Sequence, residues 1–152
     1  MVTSIEGTDS LAFAAYIATS LILSLNLLTL WVCSGAIRAK SAVAINPEDG
    51  ARYHVPISEL DPPAVARILR AHRNAESMIY PFLIIGLVYV LEGGGWKIAT
   101  PVFAIFMIAR IAHSILYLLG RQPGRTISFA ISLLAMLALM SATLTTMLMG
   151  PS

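Results

Sequence analysis

Apolar residues run in four long blocks, about residues 10–34, 64–91, 96–119 and 126–149, with short polar stretches between them. Each block is near or above the roughly 20 residues that a helix needs to cross about 30 Å of hydrocarbon. The pattern predicts an all-α, integral membrane four-helix bundle built as a single domain over residues 1–152. The turns "EGGG" (92–95) and "GRQPG" (120–124) are short, so predicted helices two, three and four should be antiparallel neighbours. "DPP" at Asp61–Pro63 reads as an N-cap followed by prolines in the first turn of helix two. Further along, Pro81 denies the Ser77 carbonyl its helical partner, and a kink is expected there.

Composition agrees with the blocks. Apolar residues make up 57% of the chain and charged residues 12%, whereas about a quarter of an ordinary soluble domain is charged. A net charge of +2 with no Lys/Arg-rich run gives nucleic acid nothing to bind. Basic residues fall in the first connection (Arg38, Lys40, Arg52) and the third (Arg121, Arg125), while the ends carry none and the second connection has only Lys97 nearby. The positive-inside rule then places connections one and three in the cytoplasm and both termini on the non-cytoplasmic side. The first block has no basic residues before it and two just after it, unlike a signal peptide. Cys33 is the only cysteine, so there is no disulfide framework, and a lipid- or helix-facing thiol is the expectation. Three scattered histidines, with no HExxH and no Gly-rich phosphate loop, predict no metal site.

The second block does not begin like a span. It carries Arg67, Arg70, His72, Arg73, Asn74 and Glu76 before the apolar run Ser77–Leu91. That run of 15 residues covers only about 22 Å of a hydrocarbon layer of about 30 Å. About five more residues are needed, which draws Arg73, Asn74 and Glu76 into the hydrocarbon layer near its cytoplasmic edge. Block three matches them in depth. Counted from the "EGGG" turn, Arg110, His113 and Tyr117 lie 14, 17 and 21 residues past Trp96, against Glu76, Arg73 and Arg70 at 15, 18 and 21 before Leu91. The first three share one helix face at i, i+3, i+7. Glu76 and Arg110 are therefore expected to pair. On helix two, Arg67, Arg70, Arg73, Asn74 and Ser77 fall within an arc of roughly 120°, which stays positive after Glu76 is subtracted and calls for an anionic ligand or water.

Simpler roles exist for several of these groups. Arg67, Arg70 and Arg121 also read as cations snorkelling to headgroups, and Arg125 as an interfacial anchor flanking a span. An intramembrane histidine such as His113 often only bonds helix to helix. His54 sits in a polar loop, and Met136, Met140, Met147 and Met149 read as packing or lipid-facing residues.

"RAHRN" (Arg70–Asn74), "IYPF" (Ile79–Phe82), "NPED" (Asn46–Asp49) and "RIAHSILYL" (Arg110–Leu118) together resemble the family of membrane-associated proteins in eicosanoid and glutathione metabolism. The match runs without a gap from about Arg38 to Leu119, then through a turn one residue shorter to about Phe129. The resemblance implies a homotrimer with reduced glutathione at the subunit interfaces, open toward the cytoplasm. By position, Arg38, Arg73, Asn74, His113 and Tyr117 are implied glutathione contacts, with Arg70, Glu76, Ser77, Arg110 and Phe129 beside them. Arg125 and Thr126 stand where the family has its thiolate-stabilising Arg and a neighbouring hydroxyl, and Asp49 where it has a carboxylate acting with that Arg. Asp49 also reads as a loop solubiliser or an N-terminal cap. A guanidinium, a hydroxyl and the positive end of a helix would together favour a thiolate over a free thiol of pKa about 8.5.

The chain departs from the family's pattern in three places. The family carboxylate falls three residues after the Asn, where this chain has Ser77; Glu76 comes one earlier, turned by about 100°. Phe129 replaces a Tyr of the prostaglandin-synthesising branch, and Thr126 replaces a Ser. The implied function is a glutathione-dependent transferase or peroxidase acting on lipophilic electrophiles from the bilayer, in an endoplasmic reticulum or bacterial inner membrane. Prostaglandin endoperoxide isomerisation and a non-enzymatic lipid-binding adaptor are the alternatives.

Overall fold

A computed structural model describes residues 7–150; the ends of the chain, which carry no Lys or Arg, lie partly outside the described residues. The helices are α1 (Ser10–Lys40), α2 (Pro47–Tyr53), α3 (Pro63–Leu91), α4 (Trp96–Leu118) and α5 (Gly124–Met149). All but the short α2 are long and apolar enough to cross a membrane. No strand is found among the described residues, only an isolated bridge between Ala44 and Ile57.

α3 and α4 form the centre. α3 packs on α1, α4 and α5, and α4 packs on α1, α3 and α5, while α1 and α5 do not touch. Phe82 of α3 stacks on Phe106 of α4 with centroids 3.6 Å apart and meets Phe103 edge-on at 5.7 Å. α5 turns a seam of mostly small residues inward: Ser128, Ser132, Ala135, Thr143 and Thr146 are buried. Outward it shows Leu134, Leu137 and Leu144, as α1 shows Leu21, Leu25 and Leu28 and α4 shows Ile105 and Ile108. Polar groups inside and leucines outside suit lipid as the solvent, where small-residue packing and interhelical hydrogen bonds hold helices together. One such bond joins Asn26 Nδ2 of α1 to Ser114 Oγ of α4 at 3.2 Å.

Both ends of the bundle are fastened by particular residues. Asp9 caps α1, accepting from the N–H groups of Leu11 and Ala12, and also accepts from the Trp96 N–H that opens α4, at 3.0 Å. These bonds, that of Trp96 foremost, hold the Asp9 carboxyl below its ordinary range against the opposing pull of burial. A depressed folded-state pKa means stability that is complete above the unfolded value of about 3.9 and lost as pH falls through the folded one. Asp9→Ala should therefore lower stability by about 1 kcal/mol at neutral pH. Thermal melts taken down a pH series should show the gap between variant and parent closing in acid; a constant gap would rule this role out.

At the same end Tyr89, fully buried, lays its ring against Gly94 and donates from its hydroxyl to the Gly95 carbonyl at 3.2 Å. A Cβ on Gly94 would sit 2.4 Å from that ring. Because the ring has nowhere to go, Gly94→Ala should destabilise the bundle by about 1–3 kcal/mol, read as a lowered Tm in detergent.

The opposite end departs from expectation. α1 continues past Ser34 to Lys40, with Arg38 and Lys40 in its last turn beside the negative helix end and Ser41 closing on the Arg38 carbonyl. "NPED" opens a helix: Pro47 sits in the first turn of α2, followed by Glu48 and Asp49. His54 ends that helix in a left-handed conformation, φ 54°. Asp61 is not the cap of α3. Pro62 holds that position, and the Asp61 carboxylate instead accepts from Arg38 Nη2 at 2.7 Å, fastening the end of α1 to the approach of α3.

Candidate functional site at the junction of α4 and α5

The expected pairing of Glu76 with Arg110 does not form. Arg110 is fully buried and donates from Nη2 to the Asn74 carbonyl at 3.0 Å and to Asn74 Oδ1 at 2.9 Å, with Ser132 Oγ at 3.5 Å from Nη1. The depth was right within a helical turn, but residues 74 and 76 lie about 200° apart around a helix. Glu76 consequently lies on the α1 side of α3, where it meets His72 of its own helix at 3.3 Å and accepts from the Tyr80 hydroxyl, also of α3, at 3.2 Å. Among the described residues no carboxylate pairs with Arg110, so neutral oxygens of α3 and α5 alone answer a cation inside the bundle. Asn74 gains an orientation from this contact: its oxygen is engaged, which leaves the NH2 end for a ligand.

Asn74, His113, Tyr117, Arg125, Thr126 and Phe129 line one cavity of about 280 Å³ between α3, α4 and α5. Arg125 and Thr126 come from the first turn of α5. The guanidinium of Arg125 lies over the Tyr117 ring, 4.7 Å from its centroid, a cation–π contact that fixes its plane. The backbone of Arg125 is held as firmly: its carbonyl faces His113 Nδ1 at 2.9 Å and accepts from Ser128 Oγ at 3.0 Å. A carbonyl only accepts, so Nδ1 carries a proton, and in the neutral ring Nε2 carries none. That Nε2 is buried without a partner, and the ring sits between Tyr117 and Phe129 at 5.8 and 6.0 Å.

The helix end supplies less than expected. The N–H groups of Thr126 and Ile127 are bonded to the Pro123 carbonyl at 2.9 and 3.1 Å, and that of Arg125 to the Arg121 carbonyl at 3.2 Å. α5 therefore contributes its field but not these amides as donors. The lining residues bring a guanidinium, an amide, two hydroxyls and an imidazole whose Nε2 is buried, with no carboxylate among them. The chemistry of such a set suits an anion and negative charge that forms there.

The remaining expected residues lie elsewhere in the chain. Arg73 and Glu76 line a cavity of about 550 Å³ on the α1 side of α3, together with Trp31, His72, Arg38 and Asp61. Asp49 lines a third cavity of about 520 Å³ with Arg38 and Tyr53, so Arg38 borders both. Arg70 and Ser77 are exposed, the latter donating to the Asn74 carbonyl at 3.0 Å. Sequence reasoning passed over Ser128 and Ser132, three and seven residues past Arg125 on the same helix face, and Gln122 in the turn before α5. The i+3, i+7 spacing of the two serines was a readable signal; the glutamine offered none.

The sequence is similar to those of known proteins. A model of the MAPEG family matches residues 16–145. Human prostaglandin E synthase is 34% identical over 125 residues, 82% of each chain. The bovine prostaglandin E synthase is 31% identical over 131 residues, covering 86% of both, and bovine microsomal glutathione S-transferase 1 is 35% identical over 136 residues, 83% of both. With four helices able to span a membrane and this match over most of its length, the chain is an integral membrane protein and belongs to the MAPEG family.

Proposed function

We propose that this protein is a glutathione-dependent membrane transferase and peroxidase, in which Arg125 stabilises the bound thiolate and Thr126 donates to it. The observation that carries this reading is the cavity itself. Donors converge there from three helices, its one cation is aligned on the Tyr117 ring, and no carboxylate lines it to neutralise that cation. Sulfur held as thiolate would attack a carbon electrophile with loss of the leaving group and its electron pair. A hydroperoxide would be attacked at its outer oxygen, releasing the alkoxide, which takes up a proton as the alcohol, and leaving a sulfenic acid from which a second glutathione thiol displaces water to give the disulfide. The names of the relatives, a glutathione S-transferase and prostaglandin E synthases, support thiol chemistry on lipophilic substrates.

A homotrimer completes the proposal. Arg67, Arg70, Arg73 and Ser77 are exposed on one side of α3. Charges at this depth do not face lipid but turn to protein or water, and another copy of the chain supplies such a surface. Apposed subunits would bring the cavity of Arg38 and Asp49 toward that of Arg125, giving the two carboxylates of glutathione cationic partners at both ends. The endoplasmic reticulum or a bacterial inner membrane would host this arrangement, with the Arg125 end cytoplasmic.

A second reading is prostaglandin endoperoxide isomerisation, favoured by the identity to human prostaglandin E synthase over 82% of the chain. Both readings use the same thiolate. One experiment separates them: purified protein with glutathione is given an aryl halide, a fatty-acid hydroperoxide and a prostaglandin endoperoxide in turn. Conjugation or peroxide reduction well above the endoperoxide rate supports the transferase and peroxidase reading. Isomerisation as the dominant rate replaces it, and glutathione binding with no turnover on any of the three would leave a non-catalytic lipid-binding protein.

A further inference from the structure

Tyr117 fixes the plane of the Arg125 guanidinium but not which edge of it meets a ligand. The turn before α5 settles that. A guanidinium only donates, so the end of the Gln122 amide that faces it must be the oxygen. In that orientation Gln122 Oε1 accepts from Arg125 Nε at 3.1 Å and from Nη2 at 2.8 Å, and Gln122 Nε2 donates to Thr126 Oγ1 at 3.0 Å. Each bond has a chemical consequence. The first two occupy the Nε–Nη2 edge of Arg125 and leave the Nη1–Nη2 edge free to donate. The third uses a lone pair of the Thr126 hydroxyl, so its own proton stays free to donate into the cavity.

We propose that Gln122 is a positioning residue for the thiolate site: one neutral amide clasps the guanidinium and sets the Thr126 hydroxyl as a donor, without cancelling the positive charge. This rests on the thiolate reading of Arg125 given above. Neutrality is the informative part. A carboxylate in this place would hold the guanidinium at least as tightly but would offset the field that keeps the sulfur ionised. An apolar side chain would leave both groups loose. The ionisable groups that meet the cavity are Arg125, His113 and Tyr117, and none of them is altered by changing Gln122, which lies exposed at the surface.

Two variants separate these effects, with detergent-solubilised protein, glutathione and an aryl halide. Gln122→Met keeps the length and removes the hydrogen bonds. Its kcat should fall about ten-fold with the KM for glutathione little changed, since orientation is lost and binding is not. Gln122→Glu keeps the acceptor and adds a charge. The acid limb of its kcat–pH profile should move upward by about one pH unit, and its rate should recover at high pH, where Gln122→Met does not. If both variants match the parent in kcat and pH profile while the parent turns over, Gln122 has no such role and the thiolate reading stands. If the parent itself shows neither bound thiolate nor turnover, the thiolate reading falls and this inference with it.

Discussion

Arg125→Ala should abolish nearly all turnover while leaving the bundle as stable as before. The guanidinium lies in the first turn of α5, part exposed; it touches α4 only through the Tyr117 ring, and the bonds from His113 and Ser128 run to the Arg125 backbone carbonyl, which alanine keeps. What it supplies is charge opposite a forming anion. Removal of one such donor from a preorganised site lowers kcat by about 10²–10³-fold. The KM for glutathione should change far less, because Asn74, His113 and Tyr117 still line the cavity. A matching loss of Tm would point instead to a structural role. Arg125→Lys is the informative companion. An ammonium keeps the charge but gives up the planar stack on Tyr117 and the two-pronged contact with Gln122, so its activity should fall between the parent and the alanine variant.

Asn74→Leu should destabilise the bundle by about 1.5–3 kcal/mol, because it takes an acceptor from a buried cation. Arg110 would keep only the Asn74 carbonyl and the long contact to Ser132. Arg110→Met, by contrast, should be close to neutral for folding, since a buried ion exchanged for an apolar side chain of similar volume is often tolerated or better. The two changes act on the same contact with different outcomes, and thermal scans in one detergent would read both. A large loss for Arg110→Met with none for Asn74→Leu would mean that the guanidinium is held by something other than Asn74. Activity should fall in both variants, because Arg110 orients the amide that lines the cavity.

Depth was readable in the residue pattern, whereas direction around the helix was not. Spans announce themselves because about 20 apolar residues in a row have few other uses, and counting from the "EGGG" turn brought Arg110 to within a turn of its true partner on α3. The choice between Asn74 and Glu76 depends on how α3 and α4 are rotated, which core packing such as Phe82 on Phe106 fixes and charge does not reveal. The last turns of α1 were missed for a related reason. Gly35, Arg38 and Lys40 break the apolar pattern, yet the helix continues because Arg38 finds Asp61 and basic side chains suit its end. Asp61, placed before two prolines, carries the local signal of a cap, which that ion pair overrides. Family resemblance brought Arg125, Thr126, His113 and Tyr117 forward together, and they line one cavity. Gln122 belongs to no pattern, and only the placement of its amide between two functional groups exposes it.

A cationic cavity should keep a bound thiol ionised at the membrane. The direct measurement is a pH titration of the ultraviolet thiolate absorbance of glutathione bound to the parent protein and to Arg125→Ala. The account predicts a thiolate band in the parent that persists well below the free-thiol pKa of about 8.5 and that is lost with Arg125. Bound glutathione that titrates like the free thiol in both proteins would contradict it.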